Sequence, residues 1–102
     1  MKIVSAVEVY NNIDNYTIID IREPYEYEVA NIQCLNIPMA EFCKKIDELP
    51  SNKTIVLMCH SGNRASALCN LLHTEFNRKD FVVLEGGIKS WKEHIDSTLN
   101  ID

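Results

Sequence analysis

Cys59 and Arg64 are the residues of this chain whose types and spacing best suit chemistry. His60, Ser61, Gly62 and Asn63 separate them, directly after the apolar run from Ile55 to Met58. A thiolate is a strong nucleophile and an arginine fork binds anions, so the pair suits attack by sulfur on an anionic substrate. Gly62 lets the backbone curl so that loop N–H groups turn inward, and a following helix aims the positive end of its dipole at the loop centre. Without the glycine and the arginine, a cysteine closing an apolar run would read as an ordinary buried residue.

The other nucleophiles and bases are less well placed. His60 is adjacent to Cys59, and neighbours in a tight loop point apart, so it suits an electrostatic or specificity role better than that of general base. His73 falls on a polar helix face and His94 beside the Trp91 stripe, and neither is marked for chemistry. Cys43 and Cys69 border apolar helical stripes and read as small core residues, and Cys34 reads as inert rather than as a resolving thiol. There is no Cys-x-x-Cys pair, so no metal site is expected.

The elements that must hold the loop alternate in type. Ser5 followed by Glu8 is a capping box opening a helix with Ala6, Val9, Tyr10 and Ile13 on one face. Thr17 to Ile21 predicts a buried strand, Pro24 the first turn of a short helix ending near Ala30, and Cys34 to Ile37 a brief strand. Phe42, Ile46 and Leu49 predict a helix closed by Pro50. Ile55 to Met58 is a strand, Arg64 to Phe76 a helix with Ala65, Leu68, Leu72 and Phe76 in its stripe, and Asn77 its left-handed cap. Phe81 to Leu84 and then Ile88, Trp91 and Ile95 predict a last strand and helix. Such alternation implies an α/β fold, a largely parallel sheet with helices on both faces and ligands at the carboxyl ends of its strands.

The chain has 102 residues and a net charge of −5, which fits one domain, residues 1–102. Its acidity argues against nucleic acid, which needs a basic face. The longest apolar run, Ile55 to Cys59, is far too short to span a membrane. Lys2 opens no leader-like apolar stretch, because Ser5 and Glu8 interrupt it, so a cytoplasmic protein is expected. Residues 1–51 hold nine Asp and Glu against four Lys and Arg, and residues 52–102 hold six of each. Glu23, Glu26 and Glu28 in that acidic half read as a solvated helix face.

Three segments, in order, resemble the signatures of rhodanese-family sulfurtransferases. Cys59 to Ser66 is similar to the family's active-site loop. Asp20-Ile21-Arg22-Glu23-Pro24-Tyr25-Glu26, running on to Asn36-Ile37-Pro38, is similar to its first signature, and Leu84 to Trp91 to the one near its C-terminus. The resemblance implies a three-layer rhodanese-like fold with a five-stranded, largely parallel sheet flanked by helices. It implies a sulfurtransferase in which Cys59 takes the outer sulfur of a thiosulfate-like or persulfide donor and passes it to a thiol acceptor, or to cyanide in assays. A protein persulfide or sulfur carrier is a further partner it implies, with no cofactor or metal.

Position by position, the resemblance makes Cys59 and Arg64 catalytic and His60, Ser61, Gly62 and Asn63 the substrate-binding loop. Asp20 and Arg22 become a bracing pair beside it, with Arg22 adding a cation for anions. Glu85-Gly86-Gly87 and Trp91 become architectural. The chain departs from the family at Ala30-Asn31-Ile32, where Gly-His-Ile is common, and in the shortened link Gln33-Cys34-Leu35. Two alternatives are a noncatalytic interaction module and a phosphatase. Phosphatases sharing the fold set Cys and Arg one residue further apart, which disfavours the second.

Overall fold

The computed structural model describes residues 2–101. Five strands, β1 (Lys2–Val4), β2 (Tyr16–Asp20), β3 (Leu35–Asn36), β4 (Thr54–Met58) and β5 (Phe81–Leu84), form one sheet in the order β1-β5-β4-β2-β3. Every pairing is parallel. The helices are α1 (Ala6–Asn11), α2 (Pro24–Val29), α3 (Met39–Phe42), α4 (Asn63–Glu75) and α5 (Gly87–His94).

Period-two alternation divides the core between the two faces of the sheet. Ile19, Ile55, Leu57, Phe81 and Val83 face Phe42 of α3 and Leu68, Cys69 and Leu72 of α4. Ile18, Val56, Met58, Val82 and Leu84 face Ala6 and Val9 of α1 and Ile88 and Trp91 of α5. The central strands are therefore apolar on both sides, the pattern of a sheet covered by helices. Each fully buried Leu, Ile or Phe contributes about 1.5–3 kcal/mol relative to exposure. No helix among the described residues is long and apolar enough to cross a membrane.

Local signals account for most boundaries. Ser5 Oγ accepts the Glu8 amide at 3.1 Å and opens α1, while Asn77, at φ 52°, turns the chain after α4. The expected helix at Phe42, Ile46 and Leu49 changes character after one turn. From Cys43 to Glu48 it is a 3-10 helix, and Leu49 takes the extended backbone that a following proline favours. α1 also stops short of Ile13, which lies in a separate 3-10 turn, and Tyr10, Ile13 and Phe76 are exposed rather than core. β1 carries no sequence signal of its own. It has three residues at the sheet edge, of which Ile3 is exposed and only Val4 is buried.

Candidate active site

Cys59 follows the last residue of β4 and sits on the floor of a cleft of about 700 Å³ at the carboxyl end of the sheet. Gly62 donates its N–H to Cys59 Sγ at 3.1 Å and Ala65 does so at 3.4 Å. Gly62 is the N-cap of α4, has φ 107° and brings no capping side chain. The sulfur thus takes the place that a Ser or Asp side chain holds at other helix starts, accepting the amide of the third helical residue. Two donors and the start of a thirteen-residue helix converge on one atom, an arrangement that suits negative charge there.

The loop is held from behind by α5. Ile88 donates its N–H to the carbonyl of Cys59 at 2.8 Å, and Lys89 donates to that of His60 at 3.2 Å. The approach is so close that a Cβ on Gly87 would lie 2.4 Å from the Cys59 oxygen and 2.5 Å from the His60 oxygen. Gly87 also has φ 61°. Its lack of a side chain is therefore a requirement of the Cys59 loop itself, beyond the turn chemistry of Gly86-Gly87.

His60, Ser61, Asn63 and Arg64 line the cleft, whereas Gly62 is buried beneath it. Arg64 forks onto Glu26 of α2, with NH1 donating to Oε1 at 2.8 Å and NH2 to Oε2 at 3.1 Å. Glu26 Oε1 also accepts the Glu23 amide at 3.0 Å, a reach back to the helix start. The Arg64 hydrogen bond holds the Glu26 carboxyl at about 2, well below its usual range. The expectation that Glu26 belongs to a merely solvated face is corrected, because it is the ion partner of the cleft's arginine.

Asp20 and Arg22 are buried, and their bonds are mutual. Arg22 Nε meets Oδ1 and Oδ2 at 3.0 and 3.1 Å, NH2 meets Oδ2 at 2.8 Å, and the Arg22 amide meets Oδ1 at 3.0 Å. Arg22 NH2 also donates to the carbonyl of Ala30 at 2.8 Å, at the end of α2. These bonds engage Nε and NH2, and Arg22 also contributes to the cleft wall. Asn31, at the departure from the family pattern, ties the Tyr27 carbonyl and the Gln33 amide, each at 2.8 Å. Gln33 there takes the left-handed φ of 62°.

Val29, Asn100 and Ile101 also line the cleft and are not marked by any sequence motif, while Tyr25 lines it from within the first signature segment. Glu26 lies in that segment too, and its place three residues after Glu23 at the start of a proline-led helix is a further signal. The other cysteines lie elsewhere. Cys34 belongs to the core on the α1–α5 face, and burial, followed by the nearby charge of Asp20, pushes its thiol up to about 12. Cys69 is buried under α4, where burial also raises its thiol. No cluster of potential metal ligands occurs among the described residues.

A family model for the rhodanese-like domain matches residues 5–94. YrkF of Bacillus subtilis (strain 168), a protein named for sulfur carriage, is 33% identical over 79 residues, which is 76% of this chain and 42% of that one. A protein of Allochromatium vinosum named sulfurtransferase is 30% identical over 83 residues, covering 79% of this chain and 76% of that one. The crystal structure of a rhodanese-related protein from Thermoplasma volcanium superposes with a TM-score of 0.82 at 34% identity, covering 93% of this chain and 94% of that one.

Proposed function

Because the chain belongs to the rhodanese-like domain family, we propose that it is a sulfurtransferase that works through a persulfide on Cys59. The observation that carries this reading is the cradle, with two backbone amides aimed at Cys59 Sγ on the floor of an open cleft. A persulfide or a departing anion formed there meets donors that are already oriented and need no rearrangement.

With thiosulfate as donor, the Cys59 thiolate attacks the outer, sulfane sulfur. The Sγ–S bond forms as the bond to the central sulfur breaks, and its electron pair leaves with sulfite. The enzyme then holds Cys59–S–S⁻. An acceptor nucleophile, a thiolate or cyanide, attacks the terminal sulfur, and the Cys59 thiolate returns. The two half-reactions share one covalent intermediate, so ping-pong kinetics are expected. Asp20, Arg22 and the His60–Asn63 loop position this chemistry, and Arg64 is its catalytic cation. The setting we propose is the cytoplasm, where the four free cysteines stay reduced.

The test is intact mass under non-reducing conditions after incubation with thiosulfate or a persulfide. One added sulfur that cyanide removes, and that Cys59→Ser never acquires, is the expected result. A wild-type chain that takes up no sulfur from either donor returns the noncatalytic module as the better reading. Phosphoester hydrolysis dependent on Cys59 would instead favour a phosphatase.

A further inference from the structure

The cation of the cleft is already engaged. Arg64 is forked onto both oxygens of Glu26, and one of those oxygens is fixed again by the Glu23 amide. A carboxylate held from two sides is part of the site rather than a passing surface contact. An incoming dianion therefore meets a neutralised fork with a fixed negative charge beside it. The same helix places Tyr25 and Val29 on the cleft wall, where both side chains are largely exposed, and Ile101 adds a further apolar stretch. The volume, about 700 Å³, falls in the range of roughly 300–1,000 Å³ typical of organic ligands. It is far more than a five-atom donor fills.

Building on the sulfur-transfer reading, we infer that Glu26 is a specificity-determining residue, turning the cleft away from small inorganic dianions and toward donors that carry their sulfane sulfur on an apolar organic thiol. With such a donor, R–S–SH, the Cys59 thiolate attacks the outer sulfur. The new Sγ–S bond forms, the donor's S–S bond breaks, its electron pair leaves as RS⁻, and the proton stays with the transferred sulfur. Val29 and Tyr25 are the apolar surface against which R lies.

The experiment measures sulfur loading of the full chain by intact mass, with Cys59→Ser as background. Thiosulfate is compared with the persulfide of N-acetylcysteine methyl ester, which carries no fixed charge on its organic part. Glu26→Gln keeps the side chain's shape and should lower the half-saturating thiosulfate concentration about tenfold. Half-saturation by the ester persulfide should stay within about twofold. Val29→Ser should raise the ester's half-saturation about fivefold and leave that of thiosulfate alone. Should Glu26→Gln shift both donors equally, or neither, while Cys59 still loads, the inference is overturned and sulfur transfer stands. Should the wild-type chain load from neither donor, sulfur transfer itself fails, a distinguishable result.

Discussion

Two arginine–carboxylate pairs stand within one short stretch of this fold, and they serve opposite ends. Asp20–Arg22 is sealed, with side chains 0% and 3% exposed, and joins residues two positions apart. Glu26–Arg64 is open to the cleft, at 20% and 37%, and joins residues 38 positions apart. The first is almost shut off from solvent, although Arg22 reaches the cleft wall. The second is poised where a ligand arrives. Similar bonds at similar lengths thus make a buried brace in one place and a wall of the open cleft in the other, and burial decides which.

The sharpest way to break that contrast is to remove the sealed carboxylate. Asp20→Ala strands a buried guanidinium and should cost about 3–5 kcal/mol, read by denaturant unfolding. Adding Arg22→Met to that variant removes the orphaned charge and should restore much of the loss. A double variant no more stable than the single one would mean that the pair does more than satisfy itself. Next in size, Arg64→Ala should lower the rate of sulfur loading about tenfold or more while costing under about 1 kcal/mol of stability. Full turnover with a lowered melting temperature would make Arg64 a structural residue instead.

The smallest effect is on acid stability. Glu26 is depressed in the folded chain from 4.5 to about 2, chiefly by its hydrogen bond from Arg64. The resulting stabilisation is fully present above pH 4.5 and fades as pH falls toward about 2. With Arg64 partly in solvent, its size should be about 1 kcal/mol or less. Glu26→Gln should flatten that part of the stability–pH curve and leave the curve at neutral pH offset by a similar amount. An unchanged slope between those pH values would show that the open pair contributes nothing to folding.

What could be read from the chain follows the distance over which each feature is encoded. β4 and β5 are contiguous apolar runs, and the Cys59–Arg64 loop is a contiguous motif, so all three were legible. β1 was not, since three edge residues with one inward side chain make no pattern, and only the family resemblance supplied a fifth strand. The 3-10 helix at Cys43–Glu48 keeps the apolar spacing of a helix, because Ile46 and Leu49 still pack against the core. Spacing alone could not separate the two geometries. Glu26 was misread for another reason. Nothing within its own helix indicates that the cation it meets lies at the start of α4, after the neighbouring strand and encoded far downstream.

The parallel pairing of the first strand with the last has a consequence for how the protein comes to be. Lys2 lies against Val82 and Val4 against Leu84, and Glu85 donates its amide to the Val4 carbonyl at 2.8 Å. A chain emerging from its N-terminus holds β1 without its β5 partner until residues 81–84 have been made. The same late segment carries the amides of Ile88 and Lys89 that grip Cys59 and His60. The pairing of β1 and the bracing of the Cys59 loop therefore wait on the same segment. A nascent or clipped chain lacking residues beyond 86 keeps Cys59 but lacks the two amides that hold its carbonyl and that of His60.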